Sequence, residues 1–438
     1  MSGESSASLP ADGGPVLGAL EELPGGPELL EQAQLRDDVA LVGGAARDLL
    51  LGHAPRELDV VVDEGAADFA RGLSSLIGRT APPRTARPTV TVHERFGTAA
   101  VDWETGRVDV AERRAESYSS PGALPDVREG TVEEDLLRRD FTVNAIAAPL
   151  GGPLRGTLQA APHALEDLAA GRLRVLHDAS FLDDPTRLLR LARYSARLGF
   201  EAQERTGQLA AEALACEALA SVTPARLGAE LRLALTEADP VQALSAMNGL
   251  GVLTALEPWL RFDGELARRA LELLPADGRS DLLLLAQLLL APAREADPGT
   301  AEQVMFEFLD ALEFSSPDRD RVLRSALAAP SLVAALGEAE LPSQMYDALA
   351  SQTLEAVALA GALRGEGPPG ATADGARRWL STLRHVRLSI TGDDLLSAGV
   401  PEGPQIGLGL AAALHRKLDG ELLNGREAEL RAALQALS

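Results

Sequence analysis

The sequence is poor in residues that several classes of protein require. It has one cysteine, Cys216, in 438 residues, which excludes a disulfide framework and a cysteine-based zinc site. Cys216 lies in an Ala/Leu helical pattern, which predicts a core position. The longest apolar run, Leu282 to Ala291, is too short to span a bilayer. No basic residue precedes Arg36, and no apolar segment of signal-peptide type precedes it either, so a cytoplasmic location is expected.

Positive charge is also scarce, and arginine supplies almost all of it. The 41 basic residues stand against 65 acidic ones, which gives a formal net charge of −24. Lys417 is the single lysine. This balance argues against a protein that coats nucleic acid non-specifically, so any contact with RNA must be local. The histidines are scattered, and only His177 is followed by an aspartate, so they predict no histidine–aspartate metal site.

Residue patterns divide the chain into a mixed part and a helical part. Residues 1–26, rich in Ser, Gly, Pro and Ala, are predicted to form a mobile leader. Alternating patterns predict strands at 39–42, 58–62, 89–92, 99–103 and 107–110. From about His163 onward, apolar spacing predicts helices, broken at Pro292, at Pro330 and over 365–370. The predicted fold class is therefore α+β.

The segment from Val39 to Val62 carries the strongest chemical pattern. Its first apolar run ends at Gly43 and Gly44, where backbone N–H groups can approach a ligand at the start of the next helix. Glu57 and Asp59 follow on a second strand, two residues apart and therefore on one face. Two such carboxylates can hold Mg²⁺ between them and the phosphates of a nucleotide. Either feature alone would be an ordinary turn or a solvated edge, but their order favours a phosphate and metal site.

Two later clusters fit the same chemistry. Asp109 lies on another strand and would complete a two-metal site for phosphoryl transfer if that strand neighbours the first. The adjacent pair Arg138 and Arg139 can clamp phosphates, although a helix end with exposed arginines is the ordinary alternative. Asp184 and Arg187 open a further helix one turn apart. A carboxylate beside a guanidinium offers the acceptor and the donors that reading a base edge requires, whereas a solvated stripe is the alternative.

Together these motifs resemble the class II tRNA nucleotidyltransferases, the CCA-adding enzymes and their poly(A) polymerase relatives in the polymerase β superfamily. The resemblance is specific over roughly residues 38–260 and again over 388–430. Its motifs are Gly43-Gly44-Ala45-Ala46-Arg47-Asp48, Glu57-Leu58-Asp59, Arg138-Arg139-Asp140-Phe141-Thr142-Val143-Asn144-Ala145, the helix start with Asp184 and Arg187, a neck helix over Val222 to Leu231, and the C-terminal motifs Thr391 to Leu395 and Gly403 to Gly407.

The resemblance implies a domain order and a set of site residues. The head would be a nucleotidyltransferase domain with a mixed sheet (27–150), followed by an all-helical neck with the nucleotide-selecting helix (151–260), body (261–387) and tRNA-binding tail (388–438). The implied catalytic metal ligands, for Mg²⁺, are Glu57, Asp59 and Asp109. The implied nucleotide-binding residues are Gly43, Gly44, Arg47, Arg139, Asp184, Arg187, Arg190 and Arg193, and RNA contacts are implied for Gly403 and Gly407.

The implied activity is template-independent addition of C, A or both to the 3′ end of tRNA from CTP and ATP. The implied partners are the tRNA 3′ end and acceptor arm, with no membrane and no obligate protein partner evident. Three departures from the family pattern matter, and the smallest is Asp183, the first acid of the template helix, where glutamate is usual. Glu57 replaces an aspartate and is one methylene longer, so the metal must shift by ~1.5 Å or the strand must relax. The connection from Tyr118 to Pro125 is short, and in this family a short loop goes with enzymes that add part of the triplet. CC-only or A-only addition, a poly(A) polymerase and a catalytically lapsed RNA-binding relative therefore remain alternatives.

Overall fold

A computed structural model of the chain describes residues 11–80, 86–295, 297–365, 370–422 and 425–438. Contacts divide the chain into two compact units, residues 1–222 and 223–438. Within the described ranges, every strand belongs to the first unit. These strands are, in chain order, β1 (Ala11–Asp12), β2 (Ala40–Val42), β3 (Leu58–Val62), β4 (Thr89–His93), β5 (Thr98–Trp103), β6 (Gly106–Glu112), β7 (Arg114–Ser117), β8 (Asp126–Glu129), β9 (Ile146–Pro149), β10 (Thr157–Ala160), β11 (Arg172–Leu173) and β12 (Glu201–Ala202).

Nine α-helices are described in the first unit, between or after these strands in chain order. They are α1 (Gly14–Glu21), α2 (Gly26–Ala33), α3 (Gly43–Leu50), α4 (Ala66–Thr80), α5 (Val132–Leu137), α6 (Ala164–Ala170), α7 (Ser180–Asp183), α8 (Thr186–Leu198) and α9 (Glu204–Ala215). Short 3-10 helices occupy Glu94–Phe96, Thr142–Asn144 and Ala218–Ser221. The predicted α+β class is therefore confirmed, and the predicted strands lie within two residues of their observed bounds.

One mixed sheet forms the framework of the first unit. Its strand order is β1-β10-β9-β2-β3-β6-β5-β4. All neighbours in it are antiparallel except β3 and β6, which run parallel with Asp59 opposite Asp109. The apolar residues of β2 and β3 are buried, as expected for central strands that are covered on both faces. The parallel register therefore brings acidic positions of two distant segments to the same level.

Helices make up the described part of the second unit. They are α10 (Pro224–Leu235), α11 (Pro240–Leu250), α12 (Val252–Leu256), α13 (Gly264–Leu273), α14 (Ser280–Leu288), α15 (Leu290–Glu295), α16 (Pro298–Ala311), α17 (Ser316–Glu338), α18 (Pro342–Leu349), α19 (Leu354–Ala362), α20 (Ala371–Ser381), α21 (Gly392–Ser397), α22 (Pro404–Leu418) and α23 (Arg426–Gln435), with a 3-10 helix at Leu383–His385. The apolar run in α14 is buried in this unit. None of the helices described is long and apolar enough to cross a membrane.

The structure corrects the predicted leader over residues 11–26. This segment forms β1, which pairs with β10, and α1, which buries Val16 and Leu20 completely. These two side chains are one helical turn apart, a signal that the surrounding Gly, Pro and Ser obscured. Residues 1–10 lie outside the described ranges. The division at 222/223 falls inside the predicted neck, and the sheet continues past residue 150 through β10, so the other predicted boundaries stay predictions.

Three other local predictions are wrong. Pro292 is the third residue of α15, where its missing N–H would have had no helical partner. Pro330 lies inside α17, which buries side chains on both sides of it, among them Val322 and Leu336. That burial outweighs the ~3 kcal/mol that an interior proline costs. Cys216 is exposed, and it is the C-cap residue directly after the end of α9, not a residue of the buried helix face.

Candidate active site

Three carboxylates meet on neighbouring strands of the mixed sheet. Asp59 on β3 is opposite Asp109 on β6, and Glu57 immediately precedes β3. One oxygen from each of the three side chains lies within 4.8 Å of the others. Glu57 is exposed, whereas the two aspartates are half-buried. Asp109 is therefore adjacent to the other two, which is the condition that the predicted three-carboxylate site required, and the parallel register of β3 and β6 produces this adjacency.

The electrostatics of this carboxylate cluster suit a cation. Burial, together with the charges of Glu57 and Asp109, raises the pKa of Asp59 to about 7, whereas Arg139 and Arg47 oppose the rise. The fold thus brings together negative charges that repel one another in a partly desolvated place. Three carboxylate oxygens of this kind are the donors that a hard divalent metal ion prefers. The residues present therefore fit a divalent metal.

One of these carboxylates already has a cationic neighbour. Arg107 donates to both oxygens of Asp109, from Nε at 2.9 Å and 3.1 Å and from Nη2 at 2.8 Å. Its Nη1 lies 3.1 Å from Asp102. Arg107 stands two residues before Asp109 on β6, so both side chains share one face of the sheet. The Arg107 side chain is 47% exposed, which leaves it free to exchange partners in solvent.

The glycine turn before α3 contacts Arg139 closely. Gly43 is the first residue of α3 and has φ 68°, a left-handed conformation that favours glycine. A Cβ on Gly43 would lie only 2.7 Å from Nη1 of Arg139. Gly44 has more room, since a Cβ there would lie 3.5 Å from its nearest neighbour, the Arg47 guanidinium. Gly43 thus gives the Arg139 guanidinium its place against the turn.

Arg47 differs from the prediction that it cradles phosphates. It is 1% exposed, and it donates to Asp48 from Nε at 2.8 Å and to Asn144 from Nη1 at 2.5 Å. Its guanidinium also stacks on the ring of Tyr194 at 5.4 Å. Asp48 in turn accepts from Arg197 of α8 at 2.8 Å. Arg47 therefore supports the glycine turn from within the protein, because its donors already have protein partners.

The two predicted base-reading residues are also engaged within the protein. Asp184 is 6% exposed and accepts from the backbone N–H of Thr186 at 3.2 Å and from its hydroxyl at 2.6 Å. Arg187 is 2% exposed and donates to the hydroxyl of Ser180 and, at 2.8 Å, to the backbone carbonyl of Arg138. Both residues lie at the start of α8 as predicted. Reading a base would require them to exchange these partners.

The remaining predicted residues occupy different surroundings. Arg190 is one-third exposed and lies 3.9 Å from a carboxylate oxygen of Asp140. Arg193 is 7% exposed and stacks on the ring of Tyr194 at 4.8 Å. In the second unit, Gly403 directly precedes α22 and Gly407 lies in its first turns, and both are exposed.

A cavity of about 560 Å³ connects two of the three carboxylates, Asp59 and Asp109, with the arginine pair. It is lined by Asp59, Asp109, Arg107, Arg138 and Arg139, together with residues of β4 and β5. Its size is within the range of small-molecule sites. The cavity therefore places negative groups for a metal beside positive groups for phosphates.

Three contributors were missed in the sequence: Arg107, Glu116 and Asp135. Glu116 is 7% exposed and Asp135 is 2% exposed, and both accept from Arg138. A signal was present for two of them. Arg107 shares the strand face of Asp109, and Asp135 precedes Arg138 and Arg139 by three and four residues, the spacing of helical ion pairs. Glu116 comes from another strand, and its contact could not be inferred from spacing.

Comparison with known proteins agrees with this geometry. Residues 39–174 match the family described as the poly A polymerase head domain. The A-adding tRNA nucleotidyltransferase of Halalkalibacterium halodurans is 39% identical over 227 residues, which are 51% of this chain and 51% of that protein. The A-adding tRNA nucleotidyltransferase of Geobacter sulfurreducens is 33% identical over 422 residues, 92% of this chain and 45% of that protein. This chain thus spans about half the length of these relatives.

A solved structure extends the similarity to almost the whole chain. The Thermotoga maritima CCA-adding enzyme complexed with tRNA superposes with a TM-score of 0.75 at 26% identity, covering 98% of this chain and 100% of that one. The head sheet and its carboxylate cluster define a nucleotidyltransferase-type head. Residues 39–174 belong to the family described as the poly A polymerase head domain, and the chain is similar over almost its whole length to the CCA-adding enzymes.

Proposed function

We propose that the chain is a template-independent tRNA nucleotidyltransferase, which adds A, C or both to the 3′ end of tRNA from ATP and CTP. The observation that carries the proposal is the pairing of a carboxylate cluster with an arginine pair across one cavity. Phosphoryl transfer needs little else from a protein, because positioning and electrostatic stabilisation supply most of the catalysis. We take tRNA as the proposed substrate because the relatives are named as tRNA nucleotidyltransferases and the similar structure is a complex with tRNA.

Glu57, Asp59 and Asp109 are the residues that would hold Mg²⁺. Mg²⁺ prefers hard oxygen donors such as carboxylates, and the phosphates of the nucleotide commonly complete its coordination. The chemistry that the ion supplies when bound is charge stabilisation at the α-phosphate and at the departing pyrophosphate. Glu57 is exposed, so its longer side chain has room to adjust to the position that the ion requires.

The phosphates of the nucleotide would be bound by the glycine turn and the arginines. Backbone N–H groups at Gly43 and Gly44 begin α3, where the helix dipole favours anions. Arg139 lies against this turn and lines the cavity. Arg190 and Arg193 would contact the sugar and phosphates from α8. Arg47 would act indirectly, through its buried contacts beneath the turn.

The base would be selected at the start of α8. Asp184 and Arg187 offer an acceptor and paired donors, the set that a base edge recognises. Because both are buried and bound to protein groups, selection would involve exchange of those contacts for contacts with the base. In the second unit, the exposed start of α22 at Gly403 and Gly407 would contact the RNA backbone.

Within this class, addition of A to a tRNA that ends in CC has the best support. Three relatives, among them the two described above, are named A-adding enzymes, whereas others are named a CC-adding enzyme or multifunctional CCA proteins. The loop between β7 and β8, residues 118–125, is short, and Gly122 in it donates its N–H to the carbonyl of Leu182 at 3.0 Å. An anchored short loop fits an enzyme that adds part of the triplet.

The test uses three tRNA transcripts that end at the discriminator base, at CC and at CCA. Each is incubated with ATP or CTP and Mg²⁺, with Asp59→Ala as the inactive variant. Asp68→Ala is the matched control, since Asp68 is exposed and its ion pair with Arg71 involves no residue that lines the cavity. We expect addition of one A to the CC end by the wild type and by Asp68→Ala.

Other outcomes separate the alternatives. Two C residues added to the first transcript would show a CC-adding enzyme, and completion of the triplet would show full CCA synthesis. A long A ladder on unstructured RNA would show a poly(A) polymerase. No incorporation by the wild type on any transcript would overturn the proposal and leave a catalytically lapsed RNA-binding relative.

A further inference from the structure

A buried carboxylate outside the metal cluster holds the arginine pair. Asp135 on α5 is 2% exposed. Its Oδ1 accepts from Arg138, from Nε at 3.0 Å and Nη2 at 2.7 Å, and its Oδ2 accepts from Nη2 of Arg139 at 2.8 Å. Each oxygen thus serves a different arginine. Burial works to raise the pKa of Asp135, but the charges and hydrogen bonds of Arg139 and Arg138 together lower it below its usual value.

Local structure fixes Asp135 independently of any ligand. The helix α5 begins with a capping box in which Thr131 and Glu134 exchange side-chain and backbone hydrogen bonds, at 3.2 Å and 2.9 Å. Asp135 follows directly, and Leu136 beside it is buried in the sheet core. The carboxylate is therefore attached to a rigid element, while the arginine side chains that it binds are long and rotamer-rich.

The position that Asp135 gives to Arg139 is the one that faces the cavity. Arg139 lies against Gly43 on one side, and on the other side its charge opposes the rise in the pKa of Asp59. Without the bond to Asp135, two adjacent guanidinium groups would repel each other at the cavity wall, and Arg139 could leave the glycine turn. The Asp135 carboxylate offsets that repulsion and restricts the side-chain rotamers of Arg139.

Glu116 continues the same network toward the loop and α8. One of its oxygens accepts from Arg138 at 2.9 Å, and the other accepts from the hydroxyl of Tyr118 at 3.0 Å. The backbone carbonyl of Arg138 accepts from Arg187 at 2.8 Å. Arg138 is therefore bound on one side to the carboxylates and on the other to the base-selecting helix.

We infer that Asp135 is a positioning residue for nucleotide binding, which acts by holding Arg138 and Arg139 in place so that Arg139 lies against the glycine turn, and that Glu116 links this pair to the loop at Tyr118. The inference rests on the proposed function, since it deepens the account of the same site. Asp135 itself faces the arginines and need not touch the nucleotide. Its effect should appear in nucleotide affinity rather than in the chemical step, because it preorganises a binding group.

The test compares Asp135→Asn with Asp167→Asn. Asp167 is also 2% exposed and also holds an arginine, since it accepts from Arg174 at 2.8 Å and 3.1 Å, but Arg174 is not part of the cavity lining. Both variants lose a buried charge and should be destabilised alike. We expect Asp135→Asn to raise the KM for ATP about tenfold, with kcat changed by less than about threefold, and Asp167→Asn to leave KM unchanged.

A binding measurement without RNA, by titration with ATP, should show the same tenfold difference. An unchanged KM and affinity in Asp135→Asn, or an equal rise in Asp167→Asn, would overturn the inference. If Asp135→Asn does not fold, Asp135→Glu takes its place, because it keeps the charge but displaces Arg139, and an unchanged KM there would overturn the inference too. Failure of the proposed function is distinct, since the wild type itself would then incorporate no nucleotide.

Discussion

Replacing Gly43 by alanine tests the geometry of the glycine turn in two measurements, the free energy of unfolding and the KM for ATP. The left-handed backbone at this position costs an alanine about 1–2 kcal/mol, which should appear in the free energy of unfolding. The added Cβ would lie 2.7 Å from Nη1 of Arg139, so the guanidinium must move away from the turn. A charge-assisted hydrogen bond is worth about 1.5–3 kcal/mol. Loss of the proposed hydrogen bond between Arg139 and the nucleotide phosphates should therefore raise the KM for ATP by roughly ten- to a hundredfold.

Gly52→Ala is the matched control for this prediction. Gly52 has φ 74° and no atom within 4 Å of an added Cβ, so it carries the same backbone cost without the contact. Urea unfolding should show similar losses of stability in both variants, whereas steady-state kinetics on a tRNA ending in CC should show a raised KM only in Gly43→Ala. A wild-type KM in Gly43→Ala, or an equal rise in Gly52→Ala, would refute the reasoning.

Three further predictions follow from the same contacts. Arg107→Ala removes the half-exposed ion pair between Arg107 and Asp109, which is worth at most ~1 kcal/mol. Metal affinity, measured by Mn²⁺ titration, should therefore rise by up to about fivefold. Weaker metal binding would contradict competition between Arg107 and the metal for Asp109. Because the pKa of Asp59 is about 7 in the fold against 3.8 for a free side chain, the stability of the metal-free protein should fall as pH rises from about 4 to about 7. Asp59→Asn should therefore gain stability relative to the wild type across that range in thermal unfolding, and a difference independent of pH would contradict the shift. Thr131→Ala removes the cap of the helix that carries Asp135 and should cost ~1 kcal/mol in urea unfolding, whereas an unchanged midpoint would show that the cap is dispensable.

Local patterns predicted the head well because its strands are short and clearly bounded. The segment 58–62 is a run of apolar residues around Asp59, and its bounds agree with β3. The pairing of β3 with β6 joins segments about fifty residues apart, and nothing in either segment specifies a parallel register. The three carboxylates could therefore be identified from the sequence, but the strand pairing that places Asp109 beside the other two could not be derived from local patterns.

The arginines show a second limit of local patterns. The family resemblance implied that Arg47 and Arg187 contact the nucleotide; both are buried with protein partners, so this role stays a prediction. Burial depends on packing between α3, α8 and the Arg138 segment, which no local pattern encodes. The proline predictions failed for a related reason, since the packing around Pro330 outweighs its local preference. Local chemistry thus predicted which residues take part, but tertiary contacts decide which of them are available to a ligand.

The most direct test of the central claim is metal-dependent incorporation of labelled AMP into a tRNA ending in CC, measured side by side for the wild type, Asp109→Asn and Asp102→Asn. Asp102 also contacts Arg107 but lies outside the carboxylate cluster. The account predicts Mg²⁺-dependent addition of one A by the wild type and by Asp102→Asn, and a loss of at least about a hundredfold in Asp109→Asn. Equal incorporation by the wild type and Asp109→Asn, or none by the wild type, would contradict the claim that these carboxylates and arginines form one nucleotide-transfer site.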